Sequence, residues 1–256
     1  MRRILAAAAG ALAAAALVAC SGDNAAPTFF PPSPTTAAPS PTSTPTSSAT
    51  LSPSAIASDQ NAFQNPGFED GREHWTSIKP PDFVLSDEVF HTGQASALLE
   101  LRAEPGTEGT KVFYLVQEVT PEEFPAIISG NYRVTRWTRG TRLQYLQFAV
   151  IAFGANNLPG GYANHQVRYI LGGIDEEPFD IANAHFVFLS RDDPALDEWV
   201  PFQVNVRDDF LKLWGAVPEY EKIRVLFEVR YDDKAKGEGP AEADVYYDDL
   251  YFGPAP

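Results

Sequence analysis

Hydrophobic and polar residues alternate along much of the chain beyond residue 80. From Lys222 to Tyr231, apolar side chains recur at every second position, and most of the side chains between them are charged. Trp199–Val206 repeats this pattern. A period of two is typical of a β-strand that buries one face. The same pattern predicts eight more strands, at residues 82–90, 95–102, 111–119, 131–139, 143–153, 166–171, 185–190 and 244–252.

Helical periodicity is confined to one short segment. Asp208–Trp214 is predicted as a helix with Asp208 or Asp209 as its N-terminal cap. Residues 143–153 are apolar on both faces, which indicates a central strand or the floor of a groove. Because clusters of Gly, Pro, Asn and Asp separate the ten strands, the sequence predicts an all-β fold, an antiparallel β-sandwich.

The first 19 residues have the features of a signal peptide. Arg2 and Arg3 precede an uncharged run, Ile4–Ala19, which is shorter than the roughly 20 apolar residues that span a bilayer. Leu17–Cys20 resembles the bacterial lipobox, whose cysteine is acylated and becomes the first residue of the mature protein. This resemblance implies lipidation at Cys20 and a membrane anchor in the cell envelope, facing outside the cytoplasm, on the outer membrane if one is present. The alternative is an ordinary signal peptide with an accidental cysteine.

A stretch rich in proline, serine and threonine follows. These three types fill 24 of the 38 positions between residues 21 and 58, and Asp23 is the only charged residue there. Such a composition buries too little apolar surface to offset the entropy lost on ordering. We therefore predict a disordered tether, which together with the lipidated Cys20 makes up residues 20–58. One folded domain at residues 59–256 is predicted to follow.

Composition narrows the classes of function. The chain of 256 residues carries 19 basic and 34 acidic residues, for a net charge of −15. Because nucleic-acid affinity depends on Lys and Arg at the phosphates, this charge argues against a nucleic-acid partner. A single cysteine excludes an intrachain disulfide and a cysteine-rich zinc site. The sequence has no nucleophile elbow, zinc-protease motif or phosphate-binding loop.

Three short motifs occur in order within the predicted domain. They are Asn65-Pro66-Gly67-Phe68-Glu69 followed by Trp75, then His91-Thr92-Gly93-Gln94-Ala95-Ser96, and finally Asp248-Asp249-Leu250. Together they resemble the galactose-binding-like β-jelly-roll of the CenC-type carbohydrate-binding modules, over nearly the whole domain from Asn61 to Phe252. The resemblance implies a jelly-roll sandwich that binds a glycan and is not an enzyme. The domain is longer than the usual module, and the excess lies near residues 153–197.

The resemblance also implies a structural Ca²⁺ site, which is often present in the family. It implies Glu69 and Asp249 as side-chain ligands, Asp248 as a further ligand, and the carbonyl groups of Gly67 and Gln94. The first and last strands of a jelly roll lie close together, so these carboxylates repel unless a cation lies among them. A hard cation with oxygen ligands suits this set. The alternative is that the opening acidic residues are solvated turn residues and the aspartate pair ends a strand.

Sugar binding requires an aromatic ring for stacking and polar groups for the hydroxyls. Trp137 is predicted on the polar face of its strand, and Tyr145 and Gln147 on the face opposite Leu146. A concave groove is therefore predicted, with Trp137, Tyr145, Gln147, Tyr162 and His165 as its carbohydrate-binding residues. The alternative is that Trp137 completes an apolar cluster under a loop. Trp75, in contrast, is predicted in the core.

Three functions remain open on the sequence alone. The favoured one is a surface-anchored, non-catalytic lipoprotein that binds a neutral carbohydrate, since the acidic domain repels acidic glycans. The second is an envelope or adhesion lipoprotein that uses the sandwich for protein contacts. The third is a glycan-active enzyme with an unrecognised site. Its candidate carboxylates in loop-like stretches, more typical of a solvated surface, are Glu176, Glu177, Asp192 and Asp193.

Overall fold

The computed structural model describes residues 60–232 and 239–255. The predicted signal peptide, Cys20 and tether lie outside the described residues. The described elements are β1 (Val84–Ser86), β2 (Ser96–Ala103), β3 (Thr110–Val119), β4 (Ile127–Thr138), β5 (Tyr145–Phe153), β6 (Asn164–Gly172), β7 (Asp180–Ile181), β8 (Ala184–Phe188), β9 (Trp199–Asn205), α1 (Val206–Trp214), β10 (Lys222–Asp232) and β11 (Ala241–Gly253).

These strands form two sheets. One has five strands in the order β1-β2-β11-β4-β9, and the other has six in the order β3-β10-β5-β6-β8-β7. All neighbouring strands are antiparallel except β6 and β8. From β2 to β5 the chain changes sheet at each strand, as it does again from β9 to β11. The predicted all-β sandwich of jelly-roll type is confirmed.

The hydrophobic core lies between the two sheets, because the alternating apolar positions of every long strand face inward. On β10 these are Ile223, Val225, Phe227 and Val229, all fully buried. β5 lies between β10 and β6, which confirms the predicted central strand. Trp75 is in the core, as predicted. Its indole N–H donates to the Asn65 carbonyl at 2.9 Å.

The start of the domain pairs with its last strand. The Ala62 N–H donates to the Phe252 carbonyl at 2.7 Å, and the Leu250 N–H donates to the Pro66 carbonyl at 3.1 Å. The Asn61 side chain accepts from the Phe252 N–H and donates to the Leu250 carbonyl, both at 2.9 Å. These bonds bring the opening motif beside the closing aspartates, as the sequence predicts.

The predicted helix exists, but its predicted cap is wrong. Asn205 is the N-cap, since its side-chain oxygen accepts from the Asp208 N–H at 3.1 Å. Asp208 and Asp209 instead lie in the first turn, where their negative charge is favourable against the helix dipole. Gly215 ends the helix in a left-handed conformation. Within the described residues, no helix has the length and apolar character needed to span a membrane.

Candidate functional site

The outer face of the six-stranded sheet carries a group of polar side chains at its centre. Gln147 on β5 lies opposite Glu228 on β10, and Tyr145 lies opposite Arg230. Arg168 projects from β6 on the same face, opposite Ala149 of β5. We call Gln147, Arg168, Glu228 and Arg230 the polar cluster. Tyr145 and Gln147 lie on the sheet face away from the core, as their alternation with Leu146 predicts.

The polar cluster is tightly connected. Both the Gln147 side-chain N–H and the Arg168 guanidinium donate to Glu228 Oε1, the latter at 2.8 Å. Glu228 is 2% exposed and Gln147 is fully buried. The Gln147 carbonyl oxygen Oε1 is buried and has no hydrogen-bond partner among the described residues. The parts of the cluster that a ligand can reach are instead Arg168 and Arg230, whose side chains are 16% and 28% exposed.

Burial dominates the electrostatics of this cluster. It raises the pKa of Glu228, although Arg168 and Arg230 oppose the rise by stabilising the carboxylate. It also raises the pKa of Tyr145 to about 12 and raises the pKa of Tyr114, whose hydroxyl is close enough to Glu228 to be affected by its charge. Tyr114 and Tyr145 therefore stay neutral donors at physiological pH, with Tyr114 opposite Glu228 and Tyr145 opposite Arg230.

An apolar strip continues along the same face. It consists of Val116, Ala149, Ile151 and Leu226, with the partly buried rings of Tyr114 and Phe153 packed against it. Beyond the strip, Glu118 forms ion pairs with Lys222 and Arg224. Both cations also lie over the Phe153 ring, at 5.3 and 5.1 Å from its centroid. The face thus combines half-buried aromatic rings with side chains that form hydrogen bonds.

Trp137 does not face this surface. Asp244 of β11 pairs with Arg136 whereas Val245 pairs with Val134, so β4 carries one extra residue between these pairs. A bulge of this kind reverses the side of the sheet on which the next side chains lie. Trp137 therefore packs against the core. This is the arrangement of the cluster alternative, not of the groove.

A loop covers Trp137. The Trp137 indole N–H donates to Asp193 Oδ1 in this loop at 2.7 Å, and Arg139 donates to the same oxygen. A Cβ on Gly173 would lie 2.4 Å from the Trp137 ring, and the φ of Gly173 is +89°. Only glycine therefore allows the loop to pass so close to the indole.

Tyr162 and His165 contact one another, but on the inner side of the six-stranded sheet. His165 is 1% exposed, and its Nε2 lies 2.8 Å from the Pro159 carbonyl oxygen. The Tyr162 and Trp214 rings pack edge-on against it, at 5.5 and 4.7 Å between centroids. Of the five predicted sugar-binding residues, the structure brings only Tyr145 and Gln147 together on one outer face.

The predicted calcium ligands converge on one turn. Glu69 Oε1 accepts from the Gln94 N–H at 2.8 Å and from the Ala95 N–H at 3.2 Å. Gly93 has a φ of +68°, and a Cβ there would lie 2.0 Å from Glu69 Oε1. Glu69 therefore requires glycine at this position of the turn.

Asp248 binds the other end of the same turn. Its Oδ2 accepts from the His91 N–H at 2.7 Å and the Thr92 N–H at 3.2 Å, and its Oδ1 accepts from the Asp249 N–H at 2.7 Å. Gly67 lies beside it, because a Cβ there would be 3.7 Å from Oδ1. Burial, with a smaller contribution from the Asp249 charge, raises the pKa of Asp248 to about 6.

Asp249 completes the arrangement. Its Oδ1 accepts from the Thr92 hydroxyl at 2.5 Å, and its Oδ2 lies 2.6 Å from His91 Nδ1. We call Glu69, Asp248, Asp249 and the turn at residues 91–95 the turn cage. Three carboxylates from both extremities of the domain therefore meet at one turn.

Hydrogen bonds offset part of the repulsion among these carboxylates, for which the sequence predicts a cation. The N–H and O–H groups of the turn place partial positive charge at the carboxylate oxygens. In residues 60–232 and 239–255, no group of three or more His, Cys, Asp or Glu side chains is arranged to hold a metal ion. Carboxylate oxygens are ligands that Ca²⁺ prefers. Those of Glu69 and Asp248 that accept N–H hydrogen bonds must give up these bonds in order to bind the ion. Calcium at this site stays a prediction.

The acidic residues considered for catalysis lie at the surface. Glu176 pairs with Arg142 at 2.8 Å, and Glu177 with Arg191 at 3.3 Å. Asp192 and Asp193 line an open cavity of about 570 Å³ together with Arg139 and Arg191. These acids therefore take part in exposed ion pairs or border solvent.

Sequence reasoning missed Arg168, Glu228 and Arg230 as site residues. Glu228 and Arg230 were detectable as charged positions in the most strongly alternating strand. Their meeting with Gln147 and Arg168 required the strand order. Trp199 and Tyr246 lie outside this site, on the outer face of the five-stranded sheet, where Trp199 contacts the His91 ring.

Comparison with known proteins finds likeness in structure only. No family model matches the sequence, and no curated protein matches it. One similar structure is a CBM61 carbohydrate-binding module in complex with β-1,4-galactotriose, with 14% identity and a TM-score of 0.42 over 75% of this chain and 97% of that one.

Two further structures give similar figures. The CBM22-2 xylan-binding domain from Paenibacillus barcinonensis Xyn10C has 12% identity and a TM-score of 0.43, over 74% of this chain and 98% of that one. A CBM28 module specific for non-crystalline cellulose has 13% identity and a TM-score of 0.37, over 76% and 96%. All three are carbohydrate-binding modules.

Proposed function

We propose that the protein binds a neutral carbohydrate, without cleaving it, on the outer face of the six-stranded sheet. The observation that carries this proposal is the polar cluster, in which Glu228 and Asp232 hold the partly exposed guanidinium groups of Arg168 and Arg230 at the surface of the sheet. Tyr114 and Phe153 add aromatic surface along the same face. Hydroxyl groups with aliphatic ring faces, as in a sugar, match both features.

A glycan array with the full chain tests this proposal, followed by calorimetry with xylo-oligosaccharides and β-1,4-galacto-oligosaccharides as probes. We expect Tyr114→Ala to weaken binding at least tenfold, because it removes the half-buried ring next to the cluster. Tyr246→Ala, on the outer face of the other sheet, is the matched control and leaves affinity unchanged. Binding that depends on Tyr246 and not on Tyr114 contradicts the proposal, as does an array without any bound glycan.

The absence of cleavage is part of the proposal. A glycosidase needs two carboxylates about 5–9.5 Å apart. On the outer face, Glu118 lies opposite Arg224 and Asp232 is on the same strand as Glu228, so each is displaced from Glu228 by four residues, about 13 Å along the strands. Incubating the full chain with any glycan that it binds, and measuring reducing ends over time, tests this. A steady release that Glu228→Gln abolishes contradicts it.

We further propose that Cys20 is lipidated and anchors the protein to a membrane, facing outside the cytoplasm. The support is the lipobox-like sequence around the single cysteine. Two acyl chains give stable anchoring where one gives only reversible binding. Cys20→Ser is expected to move the protein from the membrane fraction to the soluble fraction after expression in a bacterium. Retention of the variant in the membrane fraction overturns the anchor.

Structural Ca²⁺ in the turn cage is also proposed. Its support is the convergence of three carboxylates on one turn. Adding Ca²⁺ to the chelated protein is expected to raise the melting temperature in the wild type but not in Glu69→Gln. Equal melting temperatures with Ca²⁺ and with chelator contradict the site.

A second function, protein contact, is favoured by one specific observation. Ile78, Val84, Leu85 and Phe90 are exposed, and two of them belong to β1 at the edge of the five-stranded sheet. Exposed apolar edge strands readily pair with another chain. Sedimentation of the full chain tests this: association that Leu85→Lys abolishes supports protein contact, and a monomer at all concentrations contradicts contact between copies.

A further inference from the structure

Apolar side chains bound the polar cluster on two sides. Along β5 and β6, the face ends in Tyr145, Ile170 and Ile174, which are at most 5% exposed. Across the sheet, the face ends in Phe186 and Phe188 of β8. We call these residues, together with Leu143 and Phe179, the apolar wall.

The wall has a second layer above the sheet. After β6 the chain turns back, and the Asp175 N–H donates to the Arg142 carbonyl at 2.9 Å. The Phe179 ring then packs on Phe186 and Phe188, at 4.5 and 6.1 Å between centroids. Asp180 fixes this position, because its side chain accepts from the Phe186 N–H at 3.0 Å.

The opposite end of the face is open. The side chains of Glu118, Arg224 and Lys222 there are 30–42% exposed. The Phe153 ring is partly exposed beside them. A glycan therefore has room to extend from the polar cluster in this direction, over about 20 Å between the β5 positions of Gln147 and Phe153. It has no corresponding room beyond the wall.

We infer that the site recognises the end of a glycan chain and not its interior. This rests on the proposed function. A chain bound through its interior must continue on both sides of the bound sugar. The wall instead closes the cluster along the strands, at Tyr145 and Ile174, and across the sheet, where Phe179 packs on β8. A terminal sugar also carries a free hydroxyl where the next sugar would be attached. That hydroxyl is an acceptor for the partly exposed Arg168 guanidinium.

The inference is tested by counting binding sites on polymers of different length. Xylan and β-1,4-galactan are each hydrolysed to a series of average lengths, and the full chain is titrated onto equal masses. We expect the saturating amount of bound protein to rise in proportion to the number of chain ends. Saturation that depends on mass alone overturns the inference while leaving the proposed function intact. If neither the polymers nor their oligosaccharides bind, the proposed function fails as well.

A variant tests the wall itself. Phe179→Ala removes the second layer, and we expect it to increase the saturating amount on the longest polymer severalfold, because interior segments then fit. Leu189→Ala, an exposed apolar residue after β8, is the matched control and changes nothing. If Phe179→Ala folds and its saturating amount still rises only with the number of chain ends, the role of the wall is overturned. The length series with the wild type decides the inference even if the variant does not fold.

Discussion

Glu228 and Glu118 lie on the same sheet face and both contact arginine, but their surroundings differ. Glu228 is 2% exposed and accepts from Arg168 and Gln147, whereas the Glu118 side chain is 40% exposed. A buried ion pair gains little over an apolar pair, yet breaking it by removing one partner is costly because the other charge is left buried. The cost of removing Glu228 should therefore exceed the stability that the intact pair contributes.

Replacing Glu228 by Ala is expected to lower the free energy of unfolding by about 3 kcal/mol, since Arg168 then loses its carboxylate in a largely buried position. Urea unfolding measures this difference. Glu118→Ala is the control, and because exposed ion pairs contribute little, its loss is below about 1 kcal/mol. Equal losses in the two variants contradict the contrast in burial.

A second prediction concerns the glycine of the turn cage. Gly93→Ala places a methyl group within 2.0 Å of Glu69 Oε1 and forces a left-handed residue, so we expect a loss of roughly 2 kcal/mol or more in unfolding free energy. In a Glu69→Ala background, only the cost of the left-handed conformation, about 1 kcal/mol, remains. A double-mutant cycle by urea unfolding separates the two contributions. Additive effects would mean that Gly93 and Glu69 do not touch.

At the level of strands, the turn cage links β11 to the connection between β1 and β2. Asp248 carries much of this link, and its pKa is raised from 3.8 to about 6. Between these values the native state holds a proton that the unfolded chain has released. The free energy of unfolding supplied by this group therefore falls as pH rises from about 4 to about 6, and is constant above that.

Asp248→Asn removes this titration. The difference in unfolding free energy between the wild type and Asp248→Asn is expected to change between about pH 4 and about pH 6, in the direction of a relatively less stable wild type at the higher pH. Urea unfolding at a series of pH values measures it, in the presence of a chelator so that no Ca²⁺ occupies the turn cage. A difference that is flat with pH would mean that Asp248 ionises alike in both states.

The helix provides a further prediction. Asn205→Ala removes the acceptor of the Asp208 N–H and is expected to lower the free energy of unfolding by about 1 kcal/mol, the usual cost of losing an N-cap. Asn205→Asp, which keeps an acceptor at this position, is the control and stays close to the wild type. Circular dichroism during urea unfolding measures both variants. A destabilised Asp variant would point to a role for the Asn205 amide, which donates to Asp208.

Alternation alone predicted nearly every long strand, since burial of one sheet face is local information. It placed Tyr145 and Gln147 correctly but misplaced Trp137, because a single extra residue in β4 reverses the face and leaves no mark in the sequence. The predicted helix cap was wrong because the alternating pattern assigns Asn205 to the preceding strand, which does end at this residue. Glu228 and Arg168 became neighbours only through the order β10-β5-β6, which depends on pairing between distant segments.

Across the domain, the acidic groups outnumber the basic ones, and this field acts on ligands before any contact forms. The chain's net charge of −15 repels polyanions over about one Debye length, roughly 8 Å at physiological salt. Two arginines in the polar cluster do not reverse this field, because Glu228 and Asp232 pair with them. A neutral glycan is therefore the better match for the proposed site.

Salt dependence distinguishes a neutral ligand from an acidic one. We expect the affinity for a bound neutral oligosaccharide to be unchanged between low and high NaCl, because no net charge is neutralised on binding. In chelator, polygalacturonate, an acidic polymer, is expected to bind at least tenfold more weakly than the neutral oligosaccharide, because the acidic surface repels it. Its affinity is expected to rise when Ca²⁺ is added, because the ion bridges the two sets of carboxylates. Calorimetry of the full chain under these conditions measures each affinity. Tight binding of polygalacturonate in chelator, weakened by NaCl, would instead show that the arginines of the polar cluster govern ligand choice.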